Sequence, residues 1–133
     1  GTCVTTDVLK GGLHLGGSIS PGLSMRINAM KEGTAVLPGV KKEDWAKFSP
    51  FKGETVGKTT QEAIIKGAAD GITAEIIGRW EILKAEFGGK DEVGVILTGG
   101  DSSFLELGRV KPKFADSNLT LKGYYELFSH IQL

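Results

Sequence analysis

Apolar residues recur every three or four positions through the middle of the chain. The members of this pattern are Ile65, Ala68, Ile72, Ile76, Trp80, Leu83 and Phe87. The spacing predicts one long α-helix, which we expect to begin at Thr59 or Thr60 and to stop at Gly88. Gly67 and Gly71 would share a face of this helix and permit close backbone approach. Such a packing reason would explain their cost of about 1 kcal/mol each relative to Ala in a helix interior.

The first thirty residues show a different pattern, with β-branched residues and glycine turns. Cys3 to Leu9 is rich in Val and Thr and predicts a strand, and after Lys10-Gly11-Gly12 the chain can return as a second strand from Leu13 to Ser20. Ser20-Pro21-Gly22 then predicts a helix from about Pro21 to Lys31, with Ser20 as its cap.

The rest of the chain alternates between irregular and regular stretches. Residues 34–58 carry several Pro and Gly residues and read as a long connection. After the long helix we expect a strand from Val93 to Thr98, a helix from Ser102 to Leu107, a short extended piece from Val110 to Phe114, and a final helix capped by residues 116–118. Mixed strands and helices indicate the α/β class.

Composition limits the classes of partner. The 133 residues are 40% hydrophobic and 24% charged, as in an ordinary globular domain, and 16 basic residues balance 16 acidic ones. Without a basic surplus we expect no nucleic acid partner, and without a long apolar run we expect no membrane partner and no export leader. The single cysteine, Cys3, fits a cytoplasmic location and is expected in the core, and two histidines with one cysteine predict no zinc site.

Four glycine- and threonine-rich segments are candidate ligand contacts. Gly1-Thr2, followed by Thr5, Thr6 and Asp7, can bring amides and hydroxyls to a phosphate, although taken alone the segment favours a plain Thr-rich strand with a solvated Asp. Gly16-Gly17 leads through Pro21-Gly22 into a helix N-terminus, where free amides can bind an anion, and a tight strand-to-helix connection remains an equal alternative.

The other two segments flank the long helix. Gly57-Lys58-Thr59-Thr60 is not a P-loop, because Gly53 and Gly57 enclose three residues where that motif needs four. Thr60 remains either a ligand contact or a simple cap. Thr98-Gly99-Gly100 follows a predicted buried strand, at the end where open α/β sheets bind ligands.

Taken in order, these motifs resemble the second half of type III pantothenate kinases, over nearly the whole chain. The matching segments are Gly1-Thr2-x-x-Thr5-x-Asp7, Gly16-Gly17-x-Ile19-x-Pro21-Gly22-x-x-Met25, Ala29-Met30, Thr34-Ala35-x-Leu37-Pro38, Gly57-Lys58-x-Thr60-x-x-Ala63-Ile64, Gly67, Thr98-Gly99-Gly100 and Leu119-Thr120-Leu121-Lys122-Gly123.

The resemblance implies a ribonuclease-H-like lobe of the actin and sugar-kinase superfamily, a mixed sheet with flanking helices, in which residues 1–133 form the C-terminal lobe. It implies ATP-dependent phosphorylation of pantothenate to 4'-phosphopantothenate, the first step of coenzyme A biosynthesis, by a homodimer. It also implies Mg2+ or another divalent metal and a monovalent cation, K+ or NH4+. The N-terminal half of the enzyme would be a further partner.

The resemblance assigns roles residue by residue. Gly1, Thr2, Gly99 and Gly100 match ATP-binding positions, and Thr60 matches a pantothenate-binding position. The catalytic base, the first phosphate loop and the cation-binding Asp match nothing in this chain, so we expect neither a catalytic residue nor a metal ligand here and no activity from the fragment alone. A non-catalytic binding or regulatory module derived from the same fold is the alternative, and a different kinase of the superfamily is a third interpretation.

Overall fold

The computed structural model describes residues 2–45, 56–89, 92–105 and 107–131. The predicted α/β character is confirmed, with two two-stranded sheets among the described residues, one antiparallel and one parallel. The chain divides into two compact units, Gly1–Ile72 and Thr73–Leu133. The elements in order are β1 (Cys3–Lys10), β2 (Leu13–Pro21), α1 (Leu23–Glu32), α2 (Lys42–Trp45), α3 (Thr60–Phe87), β3 (Val95–Leu97), a 3-10 helix (Gly100–Phe104), β4 (Lys113–Ala115) and α4 (Leu119–His130).

The predicted hairpin opens the first unit. Strands β1 and β2 pair antiparallel from Cys3↔Pro21 to Lys10↔Leu13, with a bulge between Val8 and Leu9. The two-residue turn has positive φ at both positions, 58° at Gly11 and 79° at Gly12. A type I′ hairpin turn requires positive φ at both of its central residues. Glycine adopts positive φ readily, which explains the two glycines at these positions.

Helix α1 begins two residues later than the sequence predicts. Pro21 still pairs with Cys3 as the last residue of β2, and the Gly22 amide donates to the Thr2 carbonyl at 2.9 Å. The helix therefore begins at Leu23, and its N-cap Gly22 offers no side-chain hydrogen bond, so the prediction of a Ser20 cap is wrong. Strand pairing has overruled the local preference of Pro for the first helical turn.

The buried apolar side chains of the first unit come from its three helices. They are Leu23, Ile27, Trp45, Ile64, Ile65, Ala68, Ala69 and Ile72. The predicted apolar face of α3 is thereby confirmed over its first half. The prediction that Cys3 is a core residue is wrong, because β1 alternates along its length and Cys3 lies on its exposed side.

The second unit has its core around Trp80. Its ring lies with the fully buried Leu107 and Val110, and partly buried side chains from α3 and β3 pack against this cluster. The indole nitrogen donates to the Val93 carbonyl at 2.6 Å. Strands β3 and β4 run parallel, and the residues after β3 bend into the 3-10 helix where the sequence predicts an α-helix from Ser102 to Leu107.

Helix α4 follows a local turn built by Asp116. One carboxylate oxygen accepts from the Asn118 amide at 3.0 Å, and the other pairs with the Lys122 ammonium at 2.6 Å. The hydrogen bond from Lys122 and, to a smaller extent, the hydrogen bond from the Asn118 amide lower the pKa of Asp116 below its ordinary value of 3.8. None of the described helices is long and apolar enough to span a membrane.

Candidate functional site

Thr2 is tied to the strand-to-helix junction of the first unit. The Thr2 carbonyl accepts a hydrogen bond from the Gly22 amide. Thr2 is exposed and directly precedes β1. The hydroxyl and amide of Thr2 therefore lie at the open end of the hairpin. The family resemblance assigns this residue to ATP binding. Gly1, the other residue assigned there, lies outside the described residues.

The paired glycines of β2 have different roles. Gly16 adopts φ 107°, and a Cβ added to it would meet nothing within 4 Å. Gly17 lies directly against the Thr6 carbonyl of β1, so that a Cβ could not be accommodated. Close strand pairing therefore explains Gly17, whereas the space beside Gly16 stays open to a ligand. Across the same hairpin His14 Nε2 lies 3.0 Å from the Asp7 carboxylate.

At the start of α3, Thr59 and Thr60 have different roles, although the sequence allowed either of them to cap the helix. The Glu62 amide donates to Thr59 Oγ1 at 3.2 Å, while the Glu62 carboxylate accepts from the amides of Thr59 at 3.1 Å and Lys58 at 2.6 Å. This reciprocal arrangement is a capping box, and Thr59 is its N-cap. Thr60 is the first helical residue and is exposed.

The Thr60 hydroxyl is consequently not used as the cap. No described residue forms a hydrogen bond with its side chain, and a free hydroxyl can both donate to and accept from a ligand. The cap interpretation of Thr60 is thus replaced by Thr59, which strengthens the ligand-contact interpretation. The capping-box spacing, Thr followed three residues later by Glu, was already visible in the sequence and could have distinguished the two.

The two glycines of α3 differ in their surroundings. A Cβ on Gly67 would meet nothing within 4 Å among the described residues, and Gly67 and Ala63 are both exposed. A Cβ on Gly71 would lie 3.3 Å from Arg26 Nη1 of α1. The predicted close backbone approach is therefore not observed at either glycine among the described residues; the neighbour of Gly71 is an arginine side chain that the sequence patterns did not single out.

Gly99 and Gly100 belong to the second unit and follow β3. Gly99 adopts φ 94° and ψ 163°, a conformation that disfavours any side chain. Its carbonyl accepts from the Ser102 amide at 3.2 Å and from the Ser102 hydroxyl at 2.7 Å, which fixes the turn. Nothing lies within 4 Å of a Cβ on either glycine. The turn thus presents bare, exposed backbone at a strand end.

The described residues offer little metal chemistry. No group of three or more His, Cys, Asp or Glu side chains lies close enough in residues 2–45, 56–89, 92–105 and 107–131 to hold a metal ion. The two tryptophans, Trp45 and Trp80, are 4% and 8% exposed, so both serve as packing residues. At the described candidate site residues, the groups available to a ligand are amides, hydroxyls and bare glycine backbone.

Comparison with known proteins yields a consistent set of relatives. A family model described as type III pantothenate kinase matches residues 1–81. A type III pantothenate kinase from Christiangramia forsetii is 35% identical over 124 residues, covering 92% of this chain and 47% of that protein. One from Fusobacterium nucleatum is 38% identical over 128 residues, covering 96% and 46%. The chain thus spans about half the length of these curated relatives.

A solved structure supports the fold. A conserved Campylobacter jejuni protein, provisionally named a Baf family transcriptional activator, matches with a TM-score of 0.61 at 20% identity over 96% of this chain and 53% of that one. At this identity the likeness concerns the fold alone. Because the family model covers 81 of the 133 residues and includes the hairpin, the strand-to-helix junction and the capped start of α3, the chain belongs to the type III pantothenate kinase family.

Proposed function

We propose that this chain is the C-terminal lobe of a kinase that transfers phosphate from ATP to pantothenate, giving 4'-phosphopantothenate in the first step of coenzyme A biosynthesis. The observation that carries the proposal is the family match over residues 1–81. The capping box adds support, because it leaves the hydroxyl of Thr60, the residue that resembles the family's pantothenate contact, available to a ligand.

The site residues divide into a nucleotide side and a substrate side. Gly1, Thr2, Gly99 and Gly100 would contact ATP, through backbone amides and the Thr2 hydroxyl. Gly99 has the conformation that such a role needs, since its positive φ and the empty space beside it let a phosphate or ribose approach the main chain. Thr60 would hold pantothenate by a hydrogen bond to one of its hydroxyl, amide or carboxylate oxygens.

This division fits the chemistry of phosphoryl transfer. The transferred group needs alignment and neutralisation of charge more than covalent help, and main-chain amides and hydroxyls supply both. We assign no catalytic base to this chain. The base contributes about 10²–10⁴-fold in such reactions, so the lobe alone would bind its share of the ligands without measurable turnover.

The metal ions are a separate part of the proposal. The family implies Mg2+ or another divalent ion, which would neutralise charge on the phosphates, together with K+ or NH4+. The family's cation-binding Asp matches no residue of this chain, so we give none of the candidate site residues the role of a metal ligand.

The finer fold and the assembly are also proposed. A ribonuclease-H-like lobe is supported by the TM-score of 0.61 to the Campylobacter jejuni protein and by the order of an antiparallel hairpin followed, later in the chain, by the parallel pair β3–β4. We also propose a homodimer, for which the exposed Ala63 and Gly67 on α3 leave room for a second helix to approach closely. A cytoplasmic location belongs to the same proposal, as the free cysteine Cys3 suggests. The N-terminal half of the enzyme would be the other partner.

A chimaera tests the proposal. The N-terminal half of the Christiangramia forsetii relative is joined to this chain in place of its own C-terminal half, and formation of 4'-phosphopantothenate from ATP is measured. We expect turnover from the chimaera and none from the chain alone. A folded chimaera that binds pantothenate without turning it over would favour a binding or regulatory module, and one that binds no pantothenate would overturn the proposal.

A further inference from the structure

Arg26 links three elements of the first unit. It lies on the second turn of α1, half-buried. Its Nε donates to the Pro21 carbonyl at the end of β2 at 2.7 Å, and Nη2 lies 3.5 Å from Ser20 Oγ. Its Nη1 lies against Gly71 of α3, 3.3 Å from the position of a Cβ there. One guanidinium thus connects the hairpin end, α1 and α3.

The hairpin end is also where Thr2 is held. The Thr2 carbonyl accepts from Gly22, and the Gly22 carbonyl accepts from the Arg26 amide at 3.0 Å. Thr2 is fixed besides by the neighbouring β1–β2 ladder, which pairs Cys3 with Pro21. Thr2 is therefore held by main-chain bonds in which the Arg26 side chain takes no direct part.

Thr60 lies on α3, the helix against which the Arg26 guanidinium lies at Gly71. Gly71 lies eleven residues beyond Thr60 on the same helix, which at the α-helical rise is about 16 Å. A tilt of about 5° at Gly71 would then move Thr60 by about 1.4 Å. Displacements of about 1 Å in a positioning group cost as much as 10²-fold in rate.

We propose that Arg26 is a positioning residue of the kinase: by bracing α3 against the end of β2, it sets the place of Thr60 and thereby the binding of pantothenate. Gly71 is part of the same device, because a Cβ there would lie 3.3 Å from Nη1, and the guanidinium would have to shift by a few tenths of an ångström to accommodate it. The planar fork of Arg supplies donors in several directions from one rigid group, which lysine does not. The inference rests on the proposed function for its effect on pantothenate, while the brace itself is independent of catalysis.

The kinetic test uses the chimaera with Arg26→Met, which keeps the aliphatic stem and removes the donors. We expect the KM for pantothenate to rise about tenfold, or about 1.4 kcal/mol, while the KM for ATP changes less than about twofold. In a Thr60→Val background the same substitution should change the pantothenate KM less than about twofold, because the residue through which Arg26 acts is gone. Arg109→Met, at an exposed arginine paired with Glu81, is the matched control and should change neither KM.

A purely structural role gives a different result. It would lower the active fraction, and so kcat, leaving both KM values unchanged, or would raise the pantothenate KM equally in both backgrounds. Either outcome overturns the proposal. Should Arg26→Met fail to fold, Gly71→Ala replaces it: the methyl presses on Nη1, while the better helix propensity of Ala preserves α3, and a two- to threefold rise in pantothenate KM is expected. An unchanged value would contradict the inference.

A second readout does not depend on activity. In urea unfolding of the chain, Gly71→Ala should raise the midpoint in the Arg26→Met background and fail to raise it when Arg26 is present. Equal effects in both backgrounds would show that Arg26 does not brace α3. An inactive unsubstituted chimaera would count against the proposed function, and this unfolding cycle would still decide whether the brace exists.

Discussion

The capping box at the start of α3 gives the sharpest structural prediction, because it distinguishes two adjacent threonines. Thr59→Ala removes the hydroxyl that accepts from the Glu62 amide at 3.2 Å. Loss of such a cap costs about 1 kcal/mol. Thr60→Ala removes a hydroxyl that no described residue bonds, and exposed substitutions of this kind stay within about 0.5 kcal/mol. The better helix propensity of Ala at the first helical position offsets even that small cost.

Urea unfolding followed by far-UV circular dichroism measures both variants. With an m-value of about 2 kcal/mol/M, Thr59→Ala should lower the midpoint by about 0.5 M, and Thr60→Ala should leave it nearly unchanged. Glu62→Ala should resemble Thr59→Ala, because its carboxylate accepts from two amides. A loss at Thr60 equal to that at Thr59 would refute the reasoning, since the cap would then be shared or misassigned.

Three further predictions concern the second unit. Gly99→Ala should lower the free energy of unfolding by about 1 kcal/mol or more, because φ 94° strains any side chain, whereas Gly100→Ala should be tolerated. The unfolding midpoints of the two variants provide the comparison. Equal losses of stability would contradict the backbone argument. Trp80→Phe should cost about 1–3 kcal/mol, because it leaves the Val93 carbonyl without its indole donor; an unchanged free energy of unfolding would show that the bond is dispensable. The lowered pKa of Asp116 means that its stabilisation of α4 is present above its unfolded pKa near 3.8 and is lost as pH falls through the lower folded value. The protection of α4 amides relative to their intrinsic exchange rates should therefore fall on acidification, and fall less in Asp116→Asn; identical pH profiles of protection would contradict this.

The long helix and the hairpin could be predicted because their signals are local and repeated. The apolar period of α3 extends over more than twenty residues, and the Gly11-Gly12 turn has the positive φ values that only a few residue types adopt readily. Ends were harder. Pro21 favours a helix start by itself, but its pairing with Cys3 across the hairpin decided the boundary, and pairing depends on residues distant in sequence.

The candidate site shows the same limit. Thr60 and Gly99 could be noticed because hydroxyls and glycines at the ends of elements are recognisable in a single sequence. Their assignment to ligands, however, follows from the family resemblance. Arg26 gave no such signal. A single arginine in an amphipathic helix looks like a solvated residue, and only the contact with Gly71, 45 positions later, gives it a further meaning.

The central claim is that the lobe holding Thr60 binds pantothenate for phosphorylation. The most direct measurement is the kcat/KM of the chimaera for pantothenate, set beside its rates with acetate and with sugars, in the unsubstituted and Thr60→Val forms. We expect turnover of pantothenate alone and a fall of about tenfold or more on losing the hydroxyl, as for a lost hydrogen bond in a buried complex. Preference for another acceptor, or a kcat/KM indifferent to Thr60, would contradict the account.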